Sequence, residues 1–299
     1  MENNQDRLGS FQPQHDFFIG FDSDGCVFDT MEIKQKECFY PNYIKFFQLQ
    51  PIAKYLREAV EFVNLYSKWR GSNRFPALLK VLDLLAEREE VKEKGIKFPD
   101  LKSFRDWVNS GSLLSNETLE EKVAKTGDPV LKMILDWSIA VNKTIEELVH
   151  NIPPFPYVRE SLAKVSGQAD LICISQTPCE ALEREWAEHG IDKHLALIAG
   201  QEMGTKKEHL QLAAVGKYQA NHILMVGDAL GDLEAAKANG ALFYPINPGY
   251  ELESWKRFSE EALGHFFNET YQGEYEARLI KEFHSLLPET PPWDPRKYR

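Results

Sequence analysis

The sequence predicts an α/β protein with a doubly wound parallel sheet and a helical lobe inserted into it. After residue 157, short apolar runs alternate with amphipathic helical patterns, which is typical of a parallel sheet covered by helices. The block 34–152 instead has helical periodicity and few β-branched runs. The best predicted strands end in polar clusters, as strands do where an open α/β sheet binds its ligand.

The first predicted strand covers residues 17–21, whose continuous apolar run indicates burial on both faces. It stops abruptly at a polar sequence that begins with Asp22 and ends in a turn at Gly25. The preceding residues, 1–14, are polar and lack the charged-then-apolar order of a secretion signal. We therefore expect a loose arm before the strand.

The inserted block shows apolar residues at intervals of three and four, for example Leu78, Leu82 and Leu85, with charged residues between them. Glycines break the pattern into several helices, at Gly71, Gly95 and Gly111. Such a block, inserted after one strand, can fold as a separate helical lobe.

A hinge of prolines, Pro153, Pro154 and Pro156, returns the chain to the sheet. The predicted elements that follow alternate: a helix at 158–165, a strand at 171–174, a helix at 179–189, a strand at 195–199, a helix from about 205, a strand at 223–226, a helix at 233–239 and a strand at 241–246. Two amphipathic helical stretches come after residue 250. The predicted domains are thus a discontinuous core of 15–33 and 153–250, the lobe 34–152, and a C-terminal helical extension, 251–299, that packs on the core.

Composition excludes several classes of protein. The formal charge is −11, from 35 basic and 46 acidic residues, and no Lys/Arg run resembles a nucleic-acid footprint. No apolar run reaches the ~18 residues of a membrane span. The four cysteines have no paired CxxC spacing, so neither zinc nor a disulfide framework is indicated: Cys26, Cys38, Cys173 and Cys179. We expect a cytoplasmic monomer or weak homodimer without nucleic-acid or membrane partners.

The cluster after the first strand offers two carboxylates, Asp22 and Asp24. On an extended strand they would point the same way, but a turn at Gly25 can re-aim the second. One can then act as a nucleophile while the other handles protons. The ordinary alternative is a solvated turn at a strand end.

A second acidic cluster, Asp228 and Asp232, lies between a predicted strand and the next helix. Acidic residues at this position can simply cap the helix. Together with Asp22 and Asp24, however, they would place four carboxylates at one sheet edge, where they repel unless a cation lies among them. Carboxylate, carbonyl and water oxygens suit Mg²⁺.

Two further clusters complete the set. Ser175 ends a buried strand and can hydrogen-bond a phosphate oxygen, with the Gln176 amide beside it, although a simple turn serine is commoner. Lys206 or Lys207 lies in the first turn of a helix that begins after Thr205. A lysine there opposes the helix dipole, so either it neutralises a bound anion or it is a solvated surface residue.

In this order, the four clusters resemble the haloacid dehalogenase-like hydrolase superfamily. Its pattern is DxDxx near the start, a Ser or Thr after a strand, a Lys, and GDxxxD, which here correspond to Asp22 and Asp24, Ser175, Lys206, and Asp228 and Asp232. The run at 154–158 also resembles the family's PFPGV. Cys26 replaces the usual threonine after DxDG, and the lysine is doubled.

The resemblance implies a Rossmann-like core and a Mg²⁺-dependent phosphatase that forms an aspartyl-phosphate. It makes Asp22 the nucleophile, Asp24 the general acid and base, and Lys206 the group that stabilises charge, with Lys207 as the alternative. Ser175 and Gln176 would bind phosphate. The metal ligands would be Asp22, the backbone oxygen of Asp24, and Asp228, with Asp232 supporting them.

The position of the helical lobe resembles the cap of phosphoglycolate-phosphatase-like members, which implies a small phosphorylated metabolite as substrate. A phosphomutase shares every core motif and remains an alternative, as does a catalytically silent binding protein on the same fold. In the lobe, Arg70, Arg74 and Lys80 form a basic stretch. They either reach a substrate anion or are solvated charges at helix ends.

Overall fold

A computed structural model describes residues 4–294 of the chain. Its described residues form one five-stranded sheet, ordered β3-β2-β1-β4-β5, with every neighbouring pair parallel. The strands are β1 (Phe17–Phe21), β2 (Ala169–Ile174), β3 (Leu197–Ala199), β4 (Ile223–Gly227) and β5 (Leu242–Pro245). Because the chain builds the sheet first to one side of β1 and then to the other, the doubly wound prediction is confirmed. The order reverses between β1 and β4, where such sheets bind their ligands.

The α-helices are α1 (Asn4–Ser10), α2 (Thr30–Ile33), α3 (Tyr40–Phe47), α4 (Ala53–Asn64), α5 (Arg74–Glu87), α6 (Glu89–Lys92), α7 (Lys102–Val108), α8 (Asn116–Thr126), α9 (Pro129–Leu148), α10 (Val158–Val165), α11 (Cys179–Glu188), α12 (Lys206–Ala213), α13 (Leu230–Ala238), α14 (Glu251–Arg257), α15 (Leu263–Phe267) and α16 (Glu274–Leu286). Wide π-helical turns join some of them, at Lys34–Phe39 and Phe258–Ala262. None of these helices has both the length and the apolar character needed to cross a membrane.

The chain divides into two compact units. The first comprises residues 4–31 and 151–289, and the second comprises residues 32–150 and 290–294. Within the described residues the second unit is helical and has its own apolar core, which includes Phe75, Phe104 and Trp137.

The first unit packs apolar side chains on both faces of the sheet. On one face lie Ile19, Leu171 and Leu224, and on the other Phe18 and Met225. Successive residues of a strand point to opposite faces. The continuous apolar runs that predicted these strands are therefore explained by burial on both sides.

The N-terminal segment differs from the expected loose arm, although residues 1–3 lie outside the described chain. Residues from Asn4 to Ser10 form α1, and Leu8 is fully buried in the first unit. The ammonium of Lys217 donates to the carbonyl oxygens of Leu8, Gly9 and Phe11 at 2.8 to 3.1 Å. A cation at the carbonyl end of a helix satisfies acceptors that have no partner within the helix, and this stabilises a segment whose composition is polar.

The C-terminal segment from α14 to α16 contributes to the core of the first unit, with Trp255, Phe266 and Tyr271 buried there. The Tyr271 hydroxyl donates to the carbonyl of Phe243 in β5 at 2.9 Å. The next described residues, 290–294, group with the second unit, whereas the whole extension was expected to pack on the core. Its last residues, 295–299, lie outside the described chain.

The contacts of Trp293 account for this grouping. Its ring packs edge-on against Phe62 at 5.5 Å and lies 4.8 Å from the guanidinium of Arg88. These contacts combine buried apolar area with a cation–π interaction.

Candidate active site

Three buried carboxylates meet where β1 and β4 end. Asp22 follows β1, Asp228 follows β4, and Asp232 lies in the first turn of α13. The backbone N–H of Asp22 donates to the carbonyl of Val226 at 2.9 Å, which extends the pairing of the two strands as far as the site. One carboxylate oxygen from each aspartate lies within 4.8 Å of the others. The three residues are nearly inaccessible, at 5%, 2% and 0% exposure.

Lys206 binds two of these carboxylates. Its Nζ lies 2.7 Å from Asp22 Oδ2 and 2.6 Å from Asp232 Oδ1. Lys206 is the first residue of α12, whose N-terminus has a capping box: the Thr205 hydroxyl accepts from the Glu208 N–H, and the Glu208 carboxylate accepts from the Thr205 N–H. Lys207, the other lysine considered from the sequence, is exposed.

Burial and the neighbouring charges shift the pKa values of Asp22 and Lys206. Burial raises the pKa of Asp22 well above its usual value, the negative charges of Asp232 and Asp228 raise it further, and Lys206 opposes them. Burial by itself would lower the pKa of Lys206, but Asp22 and Asp232 outweigh it, so that pKa is raised. Lys206 is therefore charged, and its single positive charge faces more than one carboxylate.

The donor set fits a divalent cation such as Mg²⁺. All three acidic side chains offer oxygen ligands, which hard cations prefer. Asp232 is already engaged, since Oδ1 accepts from Lys206 and Oδ2 accepts from the Ala229 N–H at 3.0 Å. Asp22 is engaged in a similar way, since its Oδ1 accepts from the Ser23 N–H at 2.8 Å and its Oδ2 lies 2.7 Å from Lys206 Nζ.

Gly227 allows Asp232 to lie this close to the strand end. A Cβ at residue 227 would come within 2.4 Å of the Asp232 carboxylate carbon, a distance that real Cβ atoms do not adopt. This contact gives a physical reason for the glycine that precedes Asp228.

Asp24 is held by two threonine hydroxyls. Thr30 donates to Oδ1, and Thr177 donates to Oδ2 at 2.8 Å. Thr30 is at the start of α2, and Thr177 is in the loop that follows β2. Sequence reasoning missed both threonines, and only the position of Thr177 in the polar cluster after β2 could have indicated it.

Ser175 and Gln176 lie in the same loop. Ser175 is 2% exposed, and its Oγ accepts from the Thr177 N–H at 3.2 Å, so its own O–H can still donate. Gln176 is exposed, and its amide donates to the carbonyl of Gly204 at 3.0 Å. Gln176 therefore ties the loop after β2 to the loop that precedes Lys206.

Ser23, which sequence reasoning also missed, organises the loop between the two aspartates. Its N–H donates to Asp22 Oδ1 at 2.8 Å. Its carbonyl accepts from the N–H groups of Cys26, Val27 and Phe28 at 3.3, 2.9 and 3.1 Å. A single residue thus fixes both the nucleophile candidate and the turn that follows it.

Cys26 is fully buried, and burial, followed by the negative charge of Asp228, raises the pKa of its thiol well above the usual value. The thiol donates to the carbonyl of Val226, with 3.6 Å between Sγ and the oxygen. The carbonyl of Cys26 accepts from the indole N–H of Trp255 at 2.8 Å. The residue that replaces the family's threonine is therefore a neutral thiol packed beneath the loop.

The basic residues singled out in the lobe have partners within the second unit. Arg70 is buried and donates to the Leu65 carbonyl. Arg74 donates to the carbonyl and hydroxyl oxygens of Ser138 and to Asn142 Oδ1. The ammonium of Lys80 lies 4.5 Å from the Trp69 ring. These contacts stabilise the unit, so none of the three residues is simply a solvated charge.

One family of known proteins matches much of the sequence that forms this site's fold. The model of the haloacid dehalogenase-like hydrolases matches residues 91–244, which is more than half of the 299-residue chain. The chain belongs to this family. The resemblance seen in the motifs is thereby confirmed. Asp22 and Asp24 precede the matched span and join it in space, because β1 pairs with both β2 and β4.

Two relatives show how far the similarity within the haloacid dehalogenase-like hydrolases extends. A phosphoglycolate phosphatase from Mesorhizobium japonicum is 29% identical over 150 residues, a match that spans 46% of this chain and 62% of that protein. A solved structure from Lactobacillus delbrueckii, provisionally assigned as a phosphoglycolate phosphatase, superposes with a TM-score of 0.50 at 13% identity. It covers 83% of this chain and 92% of its own, and at that identity it shows a shared fold.

Proposed function

We propose that this chain is a Mg²⁺-dependent phosphatase that hydrolyses a small phosphorylated metabolite through an aspartyl-phosphate on Asp22. The observation that carries the proposal is the buried contact between Asp22 and Lys206, beside Asp228 and Asp232, at the ends of β1 and β4. A carboxylate in that position can attack phosphorus only if positive charge offsets its repulsion from the phosphate. Membership of the hydrolase family and the similarity to a phosphoglycolate phosphatase support the same reaction class.

In the proposed reaction, Asp22 is the nucleophile and Asp24 is the general acid and base. A carboxylate oxygen of Asp22 bonds to phosphorus while the bond from phosphorus to the leaving oxygen breaks and Asp24 gives its proton to that oxygen. Asp24 then takes a proton from water as the water oxygen attacks phosphorus, which releases inorganic phosphate and restores the Asp22 carboxylate. The hydroxyls of Thr30 and Thr177 orient Asp24 for both proton transfers.

Charge neutralisation comes from Lys206 and from the cation. The residues that would hold Mg²⁺ are Asp22, Asp228 and the backbone carbonyl of Asp24, with Asp232 supporting them through its bonds to Lys206 and Ala229. When bound, the ion supplies positive charge to the phosphoryl group. Lys206 adds a second positive charge, and the Ser175 hydroxyl and the Gln176 amide bind the remaining phosphate oxygens.

In this proposal the helical second unit, the cap, selects the substrate. The protein is cytoplasmic and is a monomer or weak homodimer, as expected from the sequence. Its substrate is a small phosphate ester, with no nucleic-acid or membrane partner.

The test is phosphate release from a panel of phosphorylated metabolites, including phosphoglycolate, with and without Mg²⁺. We expect turnover of at least one member that requires Mg²⁺ and is lost in Asp22→Asn by a factor on the order of 10³ or more, as for a removed nucleophile. The substitution leaves the thermal unfolding temperature nearly unchanged, because it removes one of three neighbouring carboxylates. Normal turnover by a correctly folded Asp22→Asn would refute the mechanism.

A further inference from the structure

We propose that Glu185 and Trp186, neighbouring residues of α11, are positioning residues that hold the nucleophile of the reaction through the hydroxyl of Ser23. The inference rests on the proposed function, in which Asp22 is that nucleophile. Neither residue belongs to a motif that was apparent in the sequence, and each acts on Asp22 through the loop that carries it.

The Ser23 hydroxyl contacts two side chains of α11. It donates to Glu185 Oε2 at 3.1 Å and accepts from the indole N–H of Trp186 at 3.0 Å. Because a hydroxyl has a single proton, these two contacts fix its direction. Ser23 itself is 0% exposed, so its hydroxyl has no contact with bulk water in the folded protein.

The backbone of Ser23 transmits that anchoring to the site. Its N–H donates to Asp22 Oδ1 at 2.8 Å, which leaves Oδ2 facing Lys206 at 2.7 Å. Its carbonyl gathers the N–H groups of Val27 and Phe28 at 2.9 and 3.1 Å. Moving the Ser23 side chain would therefore rotate the Asp22 carboxylate and loosen the turn at the same time.

The two partners on α11 differ in how firmly they are held. Trp186 is fully buried and packs edge-on against Phe28 at 5.6 Å, so its indole has little freedom. Glu185 is partly buried and supplies a charged acceptor, which makes a stronger hydrogen bond than a neutral one. Since α11 also begins just beyond Ser175, one helix connects the loop of the nucleophile with the loop proposed to bind phosphate.

Such positioning should affect kcat more than KM, since a small misplacement of a reacting group raises the barrier without removing a substrate contact. We expect Glu185→Ala to lower kcat about tenfold, with KM changed by less than about twofold, for Mg²⁺-dependent hydrolysis of p-nitrophenyl phosphate. Glu185→Gln keeps an oxygen acceptor and should remain within about threefold of the unaltered enzyme. The matched control, Glu183→Ala, removes the same charge from an exposed position of α11 and should change neither constant.

A double-mutant cycle that combines Ser23→Ala with Glu185→Ala decides whether Ser23 and Glu185 act through their shared hydrogen bond. If they do, Ser23→Ala lowers kcat at least as much as Glu185→Ala, because it also removes the Trp186 contact, and the double variant is no slower than the slower single variant. Multiplicative losses in the double variant would overturn the proposal. So would a Glu185→Gln enzyme as slow as Glu185→Ala, because the negative charge and not the hydrogen bond would then matter.

Amide hydrogen exchange provides a readout that is independent of turnover. In Glu185→Ala, but not in Glu183→Ala, the amides of Val27 and Phe28 should exchange faster, because both donate to the Ser23 carbonyl. Unchanged exchange in a folded Glu185→Ala protein would overturn the positioning role. If the unaltered enzyme hydrolyses no phosphate ester, the proposed function fails, while the exchange comparison still tests the anchoring of the loop.

Discussion

The ammonium of Lys206 lies 2.7 Å from Asp22 Oδ2 and joins the N-terminus of α12 to the carboxyl end of β1. Asp22 is buried and the Lys206 side chain is 16% exposed, and a second carboxylate, Asp232, lies 2.6 Å from the same nitrogen. Buried ion pairs contribute little net stability, but removing one partner leaves uncompensated charge in a region of low dielectric. This relationship gives Lys206 a structural role at the site, in addition to the chemical role proposed for it.

The first prediction separates Lys206 from its neighbour. Lys206→Met should abolish turnover and destabilise the first unit by about 3 to 5 kcal/mol, since it leaves Asp22 and Asp232 without their shared cation. Lys207→Met, the matched control at an exposed position, should leave phosphate release and the melting temperature essentially unchanged. The reverse result would show that Lys207 performs the chemistry.

A second prediction concerns the metal and does not depend on turnover. Mg²⁺ should stabilise the folded protein, by about 2.7 kcal/mol when the free Mg²⁺ concentration is a hundred times Kd. Its melting temperature should rise accordingly. Asp228→Asn removes one of the proposed direct ligands and should abolish most of that increase, while the exposed Asp192→Asn retains it. An equal Mg²⁺ response in all three proteins would exclude Asp228 as a ligand.

The C-terminal extension supports the loop of the proposed nucleophile, which leads to a third prediction. Trp255→Phe keeps the packing with Phe21 and Phe258 but leaves the buried carbonyl of Cys26 without its indole donor. The first unit should lose about 1 to 3 kcal/mol of stability, measured by thermal unfolding. Tyr250→Phe removes a hydroxyl from an exposed side chain of the same segment and should have no such effect. Equal melting temperatures for both variants would show that the hydrogen bond is unimportant.

The sequence could predict those parts of the fold that depend on local patterns. The bounds of β1 agree with the predicted strand at 17–21, because a strand buried on both faces must be continuously apolar. The meeting of Asp22 with Asp228 also followed from the pattern, since parallel strands end at the same edge of the sheet. Local signals thus sufficed to place the acidic cluster at the ends of β1 and β4.

Long-range pairings between common residues could not be predicted in this way. Nothing near Ser23 indicates Glu185, which is distant in sequence and joins it only once α11 packs on the sheet. The grouping of Trp293 with the cap depends likewise on aromatic and cation contacts across most of the chain.

The run at 154–158 differs from the family's motif at one position, and the structure explains the difference. Tyr157 stands where the family's PFPGV has glycine, and its φ of 70° lies in the left-handed region that favours glycine. The resemblance of the motif therefore reflects a required backbone conformation, which this chain adopts with a tyrosine.

The last prediction concerns acid stability and rests on His209, which is fully buried in α12. Burial, together with the positive charge of Lys206, lowers the pKa of its imidazole to about 4. In the unfolded chain the same group titrates near its ordinary value of about 6.5. Between these two pH values the unfolded state binds more protons than the folded state. The free energy of unfolding therefore falls as the pH is lowered from about 6.5 towards 4. Below about pH 4 the imidazole causes no further change.

At pH 5 the loss attributable to His209 should be about 2 kcal/mol relative to neutral pH, because each pH unit in this window corresponds to about 1.4 kcal/mol. His209→Gln and His209→Leu cannot take up the proton and should both show a shallower decline in melting temperature between pH 6.5 and 4.5. His284→Gln, at an exposed position of α16, should follow the unaltered protein. Carboxylates that titrate near pH 4 contribute equally to all four proteins, so the comparison isolates the imidazole. If the His209 variants lose stability as steeply as the unaltered protein, protonation of the buried imidazole does not contribute to the loss of stability in acid.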